Sequence, residues 1–175
     1  MALKIIVVIA VLVAIVLAFA ATKPKIFTVQ RTINVKTPPD KIFVLINDFH
    51  NWSGWAPQDR EDPTMKRTYS GAENGKGAVS EWNSHGSAGQ GRMSIVESDP
   101  PRAIAVKVDF VKPFEAHNIN EFTLEPAGGF TKVTWTMHGT NLYIMKLISI
   151  FRNMDSVAGK HFERGLDNLK AIAEQ

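Results

Sequence analysis

The chain has 175 residues, 45% of them apolar, with a formal charge of +3 and no cysteine. The lack of thiols excludes a disulfide scaffold, cysteine-ligated zinc, an iron–sulfur cluster and a cysteine nucleophile, and the apolar content with regular strand patterning excludes disorder. The basic residues (Lys23, Lys25, Arg31, Lys66, Arg67, Lys107, Lys112 and Lys132) are scattered, whereas a nucleic acid partner would call for a positive stripe beside exposed aromatics.

Ile5–Ala21 is an unbroken apolar run with no polar face. At 1.5 Å per residue it spans about 25 Å, slightly short of a bilayer core, and Leu3 and Thr22 extend it. This predicts a membrane helix over residues 3–22 and divides the chain into a segment 1–22 and a domain 23–175. The run is longer than the apolar region of a typical signal peptide and rich in Ile and Val, which favours a retained single-pass anchor. Ala18-Phe19-Ala20 fits a cleavage pattern, so secretion after signal cleavage stays open. Positive charge lies on both sides of the run (Lys4 before it, Lys23, Lys25 and Arg31 after), and charge alone sets no orientation. Export of the domain to the extracytoplasmic side is the default expectation.

Within the domain, Phe27, Val29, Arg31, Ile33 and Val35 alternate with polar residues and predict a strand over Lys25–Lys36. Thr37-Pro38-Pro39-Asp40 reads as a helix start, with Thr37 as the cap and Pro38 in the first turn. Ile42, Phe43, Leu45 and Ile46 form the apolar face of that helix, which ends near Asp48. Phe49–Pro57 is too aromatic for a plain loop and predicts a short bridge that inserts its tryptophans into the core. Six strands follow: Met65–Ser70, Ala78–Asn83, Arg92–Glu97, a stretch through Ile104–Phe110, Phe114–Glu125, and a last one carrying Val133, Trp135 and Met137. Half of the twelve glycines fall within Gly71–Gly91, a density that signals tight turns and bends in a curved sheet. Leu142–Glu174 is helical, with a break near Asn153–Asp155 and a stripe of Ala158, Phe162, Gly165, Leu169 and Ile172. Gly159 and Gly165 each cost the helix about 1 kcal/mol relative to Ala. They mark either close packing on the sheet or room for a guest. The whole is an α+β domain: a curved antiparallel sheet of about seven strands wrapped on a long C-terminal helix.

Several stretches of this order resemble a known family. Asn34–Phe43, Ile46-Asn-Asp-Phe-His-Asn-Trp-Ser-Gly-Trp55, Arg67-Thr-Tyr-Ser-Gly71 and Gly159–Lys170 are similar to the SRPBCC superfamily, the START and birch-pollen-allergen group, and within it to the polyketide cyclase/dehydrase-like branch. The resemblance covers about Phe27–Ala173. It implies a helix-grip fold around a deep apolar cavity that takes a hydrophobic small molecule or lipid. It transfers no catalytic residue.

The five histidines form no metal-binding pair and there is no Gly-x-Ser-x-Gly elbow, so no metal, cofactor or catalytic residue is assigned. Strand parity is more informative. If Phe122 faces inward, so do Asn118 and Asn120, and a buried amide without a partner costs about 1–3 kcal/mol. Such amides bond local backbone or water, or they orient a polar group of a guest. The candidate lining is therefore Trp55, Trp82, Val108, Phe110, Asn118, Asn120, Phe122, Trp135, Met137 and Phe162, an apolar chamber with a few polar groups. Trp82 has ambiguous parity. Glu81, Arg92 and Glu121 read as a solvated sheet face. Three functions compete: a membrane-anchored module that binds a hydrophobic small molecule or lipid, an enzyme of cyclase or dehydratase type, which would need a titratable group in the chamber, and a structural or partner-binding domain with a filled core. The sequence carries no signal of oligomeric state.

Overall fold

The computed structural model describes the chain except residues 63, 87, 152 and 153. Helix α1 (Ala2–Thr22) leads into strand β1 (Ile26–Val35), helix α2 (Pro39–Asn47), a 3-10 turn (Phe49–Asn51) and the short helices α3 (Trp52–Trp55) and α4 (Pro57–Glu61). Strands β2 (Lys66–Gly71), β3 (Ala78–Asn83), β4 (Gln90–Asp99), β5 (Ala103–Lys112), β6 (Ala116–Ala127) and β7 (Phe130–Thr140) follow, then helices α5 (Tyr143–Phe151) and α6 (Met154–Ala173). The break expected near Asn153–Asp155 falls partly on residues outside those described.

The strands form one antiparallel seven-stranded sheet in the order β1-β7-β6-β5-β4-β3-β2. Successive strands from β2 to β7 are hairpin neighbours, and β1 returns to pair with β7. Register follows the hydrophobic alternation, because a one-residue slip would turn every apolar side chain to water. In β6, Asn118, Asn120, Phe122 and Leu124 are buried while His117, Glu121 and Glu125 are exposed. The β6–β7 turn is Gly128-Gly129 between the paired Ala127 and Phe130, with φ of 58° and 93°. Positive φ at both central residues gives the turn the twist a hairpin needs, and glycine adopts it without steric cost. A register shift between Ile95 and Glu97 on β4 adds local bending.

Helix α6 lies along β1 and packs against α2 and α3. Phe162, Leu166 and Leu169 are buried, with Ala158 and Ile172 partly so, while Lys160, Glu163, Arg164 and Asp167 are exposed. The predicted stripe is thus the buried one. One expectation fails: α2 starts at Pro39 with no side-chain cap, and Thr37 does not cap it. Thr37 Oγ1 instead donates to Ala173 O at 2.8 Å, and Thr37 O accepts from the buried Thr131 Oγ1 at 2.6 Å. Pro38 and Pro39 carry no N–H, which removes two of the donors that a helix start leaves unpaired, and the threonine is free to tie β7 to the end of α6. Together these elements form a helix-grip fold.

Candidate functional site

The concave face of the sheet is built in rungs. From one end they run Leu124–Val133–Ile33, then Ile104–Phe122–Trp135–Arg31, Val106–Asn120–Met137–Val29, Met93–Val108–Asn118–Gly139–Phe27, and Trp82–Gly91–Phe110–Ala116. The first two rungs are packed solid. Trp135 lies flat on Phe162 of α6, ring centroids 4.1 Å apart and planes 4° apart. Phe122 sits 5.0 Å from Trp135, and Trp55 of α3 meets both rings edge-on. Gly165 lets this stack reach the helix, since a Cβ there would lie 2.8 Å from Trp135 Cζ3. The space opened by the missing side chain is filled by the protein's own indole.

Burial relaxes toward the other end. Phe122 and Trp135 are essentially inaccessible, Asn120, Asn118, Val108, Met93 and Trp82 are buried, and Met137, Gly139, Phe110 and Ala116 are half-buried. The chemistry changes along the same direction. Asn118 Oδ1, Asn120 Oδ1 and Trp135 Nε1 are buried and have no hydrogen-bond partner. The other three tryptophans differ in this respect. Trp52 Nε1 donates to Ile46 O at 2.9 Å and Trp55 Nε1 to Leu45 O at 3.1 Å, which satisfies carbonyls at the end of α2. Trp82 Nε1 donates to Ala88 O at 3.0 Å. Buried polar groups in folded proteins are paired in the great majority of cases, so three orphans on adjacent rungs stand out. Gly139 accommodates one of them: a Cβ there would lie 2.0 Å from Asn118 Oδ1.

Two arginines reach this face from the outer strands, Arg31 on β1 and Arg67 on β2, and each is held by carboxylate oxygens. Among the described residues, the inward positions of β4 to β7 carry glycine, alanine, aliphatic, thioether, amide and aromatic side chains and the hydroxyls of Ser98 and Thr131, both already hydrogen-bonded. Arg31, inward on β1, donates to Glu163 Oε1 at 2.7 Å and to both carboxylate oxygens of Asp155 at 3.1 Å. The hydrogen bond from Arg31 holds the Asp155 carboxyl below the usual range, opposed by partial desolvation. Glu81 and Arg92 face solvent as a cross-strand pair, and Glu121 lies outward beside His138.

The ten expected lining residues fall into three groups. Trp55, Phe122, Trp135 and Phe162 form the packed cluster. Trp82 and Phe110 meet edge-on at 5.4 Å near the open end, and the indole lies across Gly91, which settles the side Trp82 faces. Val108, Asn118, Asn120 and Met137 lie on the rungs between. Met93, Gly139 and Arg31 belong to the same face and were missed, although Arg31 shares the phase of Val29 and Ile33. The alternation of β1 places it in the inward series, but it was not counted among the lining residues.

Residues 27–174 match the family described as polyketide cyclase / dehydrase and lipid transport. No curated protein matches the sequence. Solved structures share the fold at low identity. A protein from Chromobacterium violaceum is 14% identical with a TM-score of 0.60, covering 87% of this chain and 99% of its own. Ara h 8.0201 is 14% identical with a TM-score of 0.57, covering 85% and 97%. The solution structure of the Aha1 dimer from Colwellia psychrerythraea is 14% identical with a TM-score of 0.53, covering 85% and 94%. The helix-grip architecture and the match over nearly the whole domain lead to one assignment: this chain belongs to the polyketide cyclase/dehydrase and lipid transport family of the SRPBCC superfamily.

Proposed function

We propose that the protein is a membrane-anchored module that binds a hydrophobic small molecule or lipid bearing one small polar group. Residues 1–22 are the anchor and 23–175 the binding domain. The guest lies between the packed aromatic cluster and the open end of the sheet, against Trp82, Val108, Phe110 and Met137. Its polar group meets Asn118 and Asn120, with the Trp135 indole N–H at the inner limit. The observation that carries this reading is the set of three buried, unpartnered polar atoms, Asn118 Oδ1, Asn120 Oδ1 and Trp135 Nε1, on adjacent rungs of the sheet. Two acceptors and one donor suit a group that both gives and takes a hydrogen bond, such as a hydroxyl or a protonated carboxyl. A binding role is preferred to a cyclase or dehydratase reaction because the inward positions of β4 to β7, against which the guest would lie, carry no acid or base among the described residues.

The test uses the full chain in lipid nanodiscs, titrated with an alkane, a fatty alcohol and a fatty acid of equal chain length. Binding is read by native mass spectrometry and by the shift of the unfolding temperature. A preference for the hydroxyl-bearing probes that disappears in Asn120→Leu is expected. Indifference to the polar group, or no uptake of any probe, would overturn the reading.

A further inference from the structure

Three observations coincide at one end of the sheet. First, among the described residues, five of the eight large exposed apolar side chains outside residues 1–22 lie there, the other three being Val44, Tyr69 and Phe130. Ile26 opens β1 and is 65% exposed, Val111 and Phe114 in the β5–β6 hairpin are 60% and 54% exposed, and Tyr143 and Ile144 open α5 at 47% and 44%. The pairings of Ile26 with Thr140 and of Asn118 with Gly139 put these positions at the same end. The hairpin reaches furthest: Phe114 lies three residues beyond the level of the last β1–β7 rung, about 10 Å of extended chain.

Second, α1 leaves the domain at this end and is joined to α5. Helix α1 is the one described helix long and apolar enough to cross a membrane. Tyr143 Oη donates to Leu17 O at 2.9 Å, and Lys146 Nζ donates to Lys23 O at 2.9 Å. Asn141 adds bonds to Pro24 O and Lys25 O. The lysine thus places positive charge at the negative end of the α1 dipole. Leu17 lies five residues before the end of α1, so Tyr143 sits about 7.5 Å below that end, the depth at which interfacial helices lie and at which tyrosine collects. Third, this is the end toward which burial of the concave face relaxes, past Asn118 and Phe110. Lys23, Lys25 and Lys112 flank it, against the single hairpin acid Glu115.

We propose that this end of the sheet rests on the lipid bilayer that α1 enters, with Phe114, Val111, Tyr143 and Ile144 immersed at the interface and the lysines among the head groups. The inference rests on the anchor assigned above. It extends that reading by fixing the domain's orientation and the source of the guest, an amphiphile that passes from the bilayer into the domain without crossing water. Exposed apolar side chains that would be a liability in water become anchoring surface against lipid. A tether alone makes no such demand, since a domain on a linker can face any direction.

The absence of cysteine makes single-site labelling clean. Full-length Phe114→Cys, Ile144→Cys, Phe130→Cys and Val11→Cys proteins carry an environment-sensitive fluorophore in nanodiscs of phosphatidylcholine and phosphatidylglycerol. Phe130 caps the opposite end of the sheet, and Val11 lies within α1. Loss of fluorescence at 114, 144 and 11 with brominated acyl chains, and at 130 only with aqueous iodide, is the expected result. Lipid quenching at 11 with iodide quenching at 114 and 144 would overturn the docked orientation and leave the anchor standing. Iodide quenching at 11 would overturn both. All four side chains are exposed, and circular dichroism of each labelled protein confirms that the comparison is between folded forms.

Discussion

Arg31 of β1 lies across Gly159 of α6, its guanidinium occupying the place where a helix side chain would begin. A Cβ at 159 would stand 1.8 Å from Arg31 Nη2. Asp155 and Glu163 lie one turn before and one turn after that glycine on the same helix face, and both bond the guanidinium. The glycine is thus the gap in an acid–gap–acid stripe, and the strand arginine fills it. The two glycines of α6 consequently predict different outcomes. In Gly159→Ala the displaced group is the end of a flexible side chain in an exposed ion pair of small worth, and the gain in helix propensity of about 1 kcal/mol offsets its loss. That variant unfolds close to wild type. In Gly165→Ala the displaced group is an indole fixed by its stack on Phe162, so overpacking lowers stability by about 1–3 kcal/mol. Denaturant unfolding of the two variants checks the order, and equal stabilities would contradict it.

Asn120→Leu separates stability from binding. The substitution keeps the branching and heavy-atom count of the side chain and removes a buried amide whose oxygen has no partner, a penalty of about 1–3 kcal/mol. The unliganded variant is therefore more stable than wild type, read as a higher unfolding midpoint, while it loses its preference for a hydroxyl-bearing guest. A drop in unliganded stability would mean that the amide is satisfied in solution, for instance by ordered water, and is structural.

Acid sensitivity follows from the same clamp. The folded Asp155 carboxyl is held below its usual value by Arg31. A carboxyl with a depressed folded pKa contributes stability above its unfolded pKa and loses it as pH falls through the folded one. Docking of α6 on β1 thus weakens below about pH 4. Arg31→Met removes this contribution at neutral pH and flattens the dependence in acid. Unfolding temperature against pH for wild type and variant tests it, and parallel curves would sink the assignment.

Sequence periodicity carried most of the fold, because the strands have one wet face and one dry face and alternation reports that directly. The phase of β6 placed Asn118, Asn120 and Phe122 inward, and that of β7 did the same for Trp135. What periodicity could not report is depth. Trp135 and Met137 share a parity, yet the first is stacked between Phe122 and Phe162 and the second is half-buried. That difference is set by α3 and α6, whose approach depends on contacts distant in sequence. The phase of β1 included Arg31, but its role went unread because its partners, Asp155 and Glu163, lie more than a hundred residues away. Thr37 carried a capping signal that tertiary structure overrode by offering it Ala173 O.

The far edge of the sheet is closed by a second clamp, this one buried, and its removal has a distinctive signature. Arg67 of β2 is bonded to both carboxylate oxygens of Asp59 in α4, one at 2.7 Å, and to Ser80 Oγ of β3 at 3.0 Å. The side chains are only 11% and 10% exposed. Removing one member of a buried pair strands the other charge without solvent or partner, at a cost of about 3–5 kcal/mol. Arg67→Met is therefore strongly destabilising. Adding Asp59→Leu removes the stranded carboxylate, and apolar replacement of a whole buried pair is often near neutral. The double variant should thus recover much of the loss, and a double-mutant cycle by denaturant unfolding measures the recovery. If Arg67→Met and the double variant are equally unstable, the clamp matters for the shape of its side chains rather than for its charges, and α4 is held to the sheet by packing alone.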